Sequence, residues 1–138
     1  MEISELLQIL TDHNMTGKGF QIQLNSGNLD DNSDKNTDIE LGDMYFTNLK
    51  LLRNETLICF DNLGRKPIKH KPDGTNIYPM EINSHMFLEI SNIECVEEVV
   101  SMDDWFEYPS LMMINIYMMP DNNNMSGHRN VVTIGLME

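Results

Sequence analysis

The sequence predicts an α+β domain, mostly β. An N-terminal amphipathic helix packs on an antiparallel sheet or a small curled barrel, and the chain ends in a long C-terminal β-hairpin. Three observations carry this. Ile3, Leu6, Leu7 and Leu10 recur at i, i+3, i+4 and i+7, with Glu2, Glu5, Gln8 and Asp12 on the other side, the period of a helix with one buried face. From Phe20 the period falls to two, the spacing of a half-buried strand. Residues 111–119 and 131–137 are two long apolar runs joined across a polar, turn-rich stretch.

The elements follow in order. The helix is expected to stop between Asn14 and Gly17, where Asn and Gly favour termination. Phe20, Ile22 and Leu24 then alternate with Gln21 and Gln23, and Asn25-Ser26-Gly27-Asn28 reads as a turn. Residues 29–38 are polar and form a loop. Strand character returns over residues 44–53, with Phe46, Leu49 and Leu51 as core candidates. A second arm follows over residues 56–60 across Asn54-Glu55, and Asp61-Asn62-Leu63-Gly64 closes the next turn. Residues 65–74 form an exposed loop with two prolines, followed by an expected strand pair at 77–82 and 86–90.

Residues 91–102 satisfy two patterns. Ser91 and Glu94 have the spacing of a capping box, in which each side chain bonds a free backbone N–H of the other, and Ile93, Val96 and Val100 fall on one helical face. The valines favour a strand. The balance tips to a short helix. In the terminal hairpin, Ile114, Ile116 and Met118 share a face opposite Val132, Ile134 and Leu136. The order of a strand, a Ser-Gly turn, further strands and Phe87-Leu88-Glu89-Ile90-Ser91-Asn92-Ile93-Glu94 resembles small Sm-like or SH3-like barrels. That resemblance implies fold alone. No repeat or linker is visible, so residues 1–138 are expected to form one domain, a size that can bury a substantial core.

Charge supplies the functional signal. The 138 residues carry a net charge of −13. Between Lys71 and Arg129 there is no Lys or Arg, and ten acids lie in that interval. Direct binding to nucleic acid or an anionic membrane is disfavoured, because both need cationic contacts; a basic protein surface is the expected partner. Glu94, Glu97, Glu98, Asp103, Asp104 and Glu107 fall close together with Trp105, Phe106 and Tyr108 interleaved. Carboxylates at i, i+3 and i+4 of a helix sit about 5–6 Å apart and those on one face of a strand roughly 6.6 Å; both spacings resemble successive phosphates, and aromatics among charges are common interface anchors. Arg65, Lys66, Lys69 and Lys71 form a secondary basic loop, expected to balance nearby acids or dock on an acidic patch. It lacks the interleaved aromatics of a nucleic-acid site.

Other chemistries have weaker signals. Asp30, Asn32 and Asp34 take the first three ligand positions of a calcium loop, yet Lys35 stands where glycine is needed and Leu41 where a bidentate glutamate belongs. His13, His70, His85 and His128 form no short-range pair with one another or with a cysteine, so no metal or cofactor is expected, and surface positions are expected for them. Cys59 and Cys95 lie in apolar runs and read as buried, reduced thiols. There is no Gly-x-Ser-x-Gly elbow or phosphate loop; Asp103 and Glu107 flanking Trp105-Phe106 leave only a carboxylate hydrolase as an enzymatic reading.

No alanine occurs, against 16 asparagines and 12 methionines, a bias that points to an AT-rich gene. The methionines read as adaptable core filler, with a Met-rich groove as the alternative. No apolar run reaches membrane-spanning length, and Glu2 and Glu5 replace the basic start of a secretory signal, so a cytoplasmic location is expected. The function expected is a small, non-enzymatic, acidic protein-binding module. A phage or mobile-element inhibitor, mimicking nucleic acid to block a basic site, would fit. The rival is a small structural barrel that self-associates through the edges of its terminal hairpin.

Overall fold

The computed structural model describes residues 1–28, 37–62, 69–70, 72–77, 85–99, 105–119 and 128–138. Helix α1 (Ile3–Thr16) buries Leu6, Leu10 and His13 on one face, as the spacing requires. It stops at Gly17, whose φ of 73° is left-handed and whose N–H donates to the Asn14 carbonyl, a conformation that costs glycine little.

The strands are β1 (Phe20–Asn28), β2 (Thr37–Phe46), β3 (Asn48–Leu52), β4 (Leu57–Asp61), β5 (Lys69–His70), β6 (Asn76–Ile77), β7 (Met86–Glu89), β8 (Ile93–Glu98), β9 (Ser110–Met118) and β10 (His128–Met137). They form a five-stranded sheet in the order β2-β1-β10-β9-β8, a three-stranded sheet in the order β3-β4-β7, and the separate pair β5-β6. Every pairing is antiparallel. The fold is therefore α+β and mostly β. The sheets do not close into a barrel, which removes that half of the expectation and the likeness to Sm-like or SH3-like barrels with it.

Register places the apolar rows together. Phe20, Ile22 and Leu24 lie opposite Leu136, Ile134 and Val132, and Ile134 and Val132 lie opposite Ile114 and Ile116. This inner face meets the three-stranded sheet through an aromatic cluster: the Phe60 ring lies 5.2 Å from Phe20 and 6.0 Å from Phe46. Leu6 and Leu10 join the same core. Asn14 pins the end of the helix to β3, donating to the Leu49 carbonyl and accepting from the Leu49 N–H.

Several expectations are corrected. Asn25 to Asn28 are not a turn: they continue β1 and pair with β10, because a second neighbour strand rewards extension there. Residues 37–38 belong to β2 rather than to the preceding loop, and 69–70 to β5. Pro72, Asp73 and Gly74 form an exposed turn, as expected, while residues 29–36, with the calcium-like Asp30, Asn32 and Asp34, and residues 65–68 and 71 lie outside the described residues. β7 pairs with β4; of its expected partner 77–82, Ile77 pairs with Lys69 and residues 78–82 lie outside the described residues. The terminal hairpin does form, yet it lies inside the sheet, β10 between β1 and β9 and β9 between β10 and β8. Among the described residues β8 and β2 are the sheet's edge strands, and both strands of the hairpin lie inside it.

Candidate functional site

The stretch expected as a short helix is strand β8, preceded by a single 3₁₀ turn over Ile90–Asn92. The register against β9 shifts between Ile93 and Cys95, which marks a β-bulge. One extra residue there points both Ile93 and Val96 into the core, three apart instead of two. The helix-like spacing is the imprint of that bulge. It also turns Cys95 outward: this thiol is exposed, against expectation, while Cys59 is buried.

Glu94, Glu97 and Glu98 are all exposed on this edge strand. Glu97 is held in place, since its Oε1 accepts from the Tyr117 hydroxyl at 2.5 Å. Burial pushes the Tyr117 hydroxyl above its ordinary pKa, and the Glu97 bond adds to the shift, so the phenol stays a donor.

Trp105 to Tyr108 are placed elsewhere. This segment lies across the outer face of the five-stranded sheet, tied down by glutamines of β1. Gln23 Nε2 donates to the Trp105 carbonyl at 2.9 Å, and Gln21 Nε2 to the Tyr108 carbonyl at 2.6 Å and Ser110 Oγ at 2.8 Å. Phe106 is 9% exposed and fits over Gly135, where a Cβ would stand 2.9 Å from its ring. It is a packing residue rather than a docking anchor. Glu107 is exposed and accepts from the Tyr45 hydroxyl at 3.2 Å, and the Tyr45 and Tyr108 rings lie 5.7 Å apart.

Tyr45 belongs to β2, the edge opposite β8. Four strand spacings of about 4.8 Å separate those edges by roughly 19 Å, more than twice the Debye length of about 8 Å in physiological salt. The structure thus brings Glu94, Glu97 and Glu98 together and sets Glu107 apart from them. Trp105 is half exposed. Asp103 and Asp104 lie outside the described residues, as do Arg65, Lys66 and Lys71; Lys69 is described only as a backbone member of β5. Ion pairs among the described residues include Lys50–Asp61 at 3.0 Å and Arg53–Glu89 at 3.6 Å.

A second constellation was not anticipated. Cys59 and Asp61 alternate along β4, and His85 stands just before β7. One potential ligand atom from each lies within 4.8 Å of the other two. Cys59 and Asp61 are buried, and His85 is exposed. The Cys-x-Asp spacing was visible in the sequence, but the third member depends on the β4–β7 register. Of the other histidines expected at the surface, His13 is buried. Between the sheets lies a cavity of about 350 Å³, lined by Met44, Met86 and Met118 with Leu24, Phe46 and Val132, so three methionines border a groove as well as fill the core. No helix among the described residues is long and apolar enough to cross a membrane.

Comparison with protein families, with curated proteins and with solved structures finds no match to this chain.

Proposed function

We propose that this protein is a non-enzymatic binding module that presents the acidic edge strand β8 to a basic surface on a partner protein. The observation that carries the reading is the exposure of Glu94, Glu97 and Glu98 on the edge strand β8, in a stretch of chain without a Lys or Arg. Exposed carboxylates on one strand raise the local concentration of a cationic partner and speed its encounter. A nucleic-acid-binding protein fits best, because its site already accepts a row of negative groups, and an inhibitor from a phage or mobile element is the role this would serve. Acids on an edge strand also deter pairing with another chain; a role confined to that purpose predicts no partner.

The experiment is parallel affinity capture from source-cell lysate by the wild type, by the triple variant Glu94→Lys/Glu97→Lys/Glu98→Lys, and by Glu107→Lys. The wild type should retain a basic partner at low salt and lose it at high salt or on adding competitor nucleic acid. The triple reversal should weaken capture about a hundredfold, ~3 kcal/mol for three reversed exposed charges. Glu107→Lys, on the far edge, should change it little. Capture that ignores salt, or survives the triple reversal, refutes the reading.

A further inference from the structure

We propose that Cys59, Asp61 and His85 form a binding site for a zinc-class divalent cation, and that the Lys50 ammonium takes the cation's place beside Asp61 when no metal is bound. The site stands apart from the β8 edge and from the reading built on it.

Its geometry follows from strand alternation. Ile58 and Phe60 face the core, so Cys59 and Asp61 face the other side of the three-stranded sheet. Phe60 lies opposite Met86 and Cys59 opposite Phe87. One step further along that register sets Asp61 against His85. A thiol, a carboxylate and an imidazole therefore share one face, with one potential ligand atom of each within 4.8 Å of the others. Sulfur, oxygen and nitrogen together suit zinc, which binds them at about 2.0–2.3 Å. Tetrahedral geometry at such bond lengths separates ligands by roughly 3.3–3.8 Å. The cluster must contract by about 1 Å, within reach of a side-chain rotation of the exposed His85.

The surroundings are arranged for a cation. Asn48 Nδ2 donates to Asp61 Oδ1 at 2.7 Å, the kind of outer bond that orients a ligating carboxylate. The other oxygen, Oδ2, faces Lys50 Nζ at 3.0 Å. Asp61 is 5% exposed, and a buried carboxylate needs a compensating charge. The Lys50 side chain is 51% exposed, so it can swing into water and vacate the position. Charge balances in both states. Without metal, the carboxylate and ammonium cancel beside a neutral thiol. With metal, a dication is offset by the carboxylate and a thiolate, the thiol proton passes to solvent, and Lys50 is solvated. No bond to carbon changes and no electron is transferred.

The test titrates the purified full chain with Co²⁺ alone and then displaces it with Zn²⁺. The wild type should show thiolate-to-cobalt charge-transfer absorption that saturates at one equivalent, is lost to one equivalent of Zn²⁺, and persists in excess Mg²⁺. Cys59→Ser should abolish the band and Cys95→Ser should leave it intact. His85→Ala, at an exposed position that should not disturb folding, should weaken binding at least about tenfold. Lys50→Met should melt at a lower temperature than the wild type without metal and recover with Zn²⁺, a rescue that a purely structural ion pair would not give. The proposal is overturned by a wild type without the band, by a band that follows Cys95, or by unchanged binding in His85→Ala.

Discussion

His13 is the residue at which burial and ionisation oppose each other most directly. It lies on the buried face of α1, its ring edge-on to Phe20 at 5.1 Å, and its Nε2–H donates to the Gly19 carbonyl at 2.7 Å. Burial lowers the imidazole pKa below its ordinary 6.5, the Gly19 bond raises it in part, and nearby Lys18 lowers it further. Because the folded pKa is the lower one, the unfolded chain binds more protons in this window. The neutral ring's contribution is complete above pH ~6.5 and is lost as pH falls through the folded value. The slope from one such group is at most about 1.4 kcal/mol per pH unit. Paired urea denaturations of the wild type and His13→Gln should show the wild type losing stability relative to the variant between pH 7 and pH 5. Carboxylate protonation acts in both proteins and cancels in the comparison. A gap independent of pH would mean that the ring binds its proton equally well in the folded and unfolded chains.

Among the elements, the segment over the outer sheet face does most to redefine the candidate site. Its fit depends on Gly135, where a Cβ would meet Ser110 Oγ at 2.5 Å, the Phe106 ring at 2.9 Å and Gln21 Cγ at 3.0 Å. Gly135→Ala should cost about 1–3 kcal/mol through overpacking, and Phe106→Ala about 3 kcal/mol through the cavity it leaves. The double variant should cost less than the sum, because removing the ring relieves part of the clash. Additive losses in chemical denaturation would show that the two groups do not press on each other. This segment was illegible in the sequence because its contacts are all distant along the chain: Gln21 and Gln23 read as a solvent-facing row, yet both are buried beneath it. Helix α1 was legible because its apolar spacing is regular, and the terminal hairpin because its two strands are long apolar runs on either side of a polar stretch. At β8 the bulge replaced the period of two with a spacing of three, and Ser91 and Glu94 happened to supply a matching cap signal.

For the molecule as a whole, the acidity legible in the sequence is distributed by strand order, which is not. Glu94, Glu97 and Glu98 follow β8 to one edge while Glu107 goes to the other, although only eight residues lie between Glu98 and Glu107 in the chain. The Cys59, Asp61 and His85 cluster illustrates the converse, residues far apart in sequence joined by register alone. Strand order also governs folding. β1 pairs with β10, Phe20 lying opposite Leu136, so the middle of the large sheet closes only when distant segments meet. Non-local pairing of this kind slows folding into the millisecond-to-second range. Mixing experiments should find refolding on that scale, and removal of residues 128–138 should abolish the cooperative transition rather than trim its midpoint. A retained sharp transition would mean that the three-stranded sheet and helix stand without the larger sheet.

Placing β10 between β1 and β9 also sets a timetable during synthesis. About 100 residues separate β1 from β10, and a ribosome adding roughly 5–20 residues per second needs on the order of 5–20 s to make them. Throughout that interval the nascent Phe20-Ile22-Leu24 row has no lasting neighbour on one flank, so the young polypeptide must be shielded by a chaperone or kept apart from its siblings by its own negative charge.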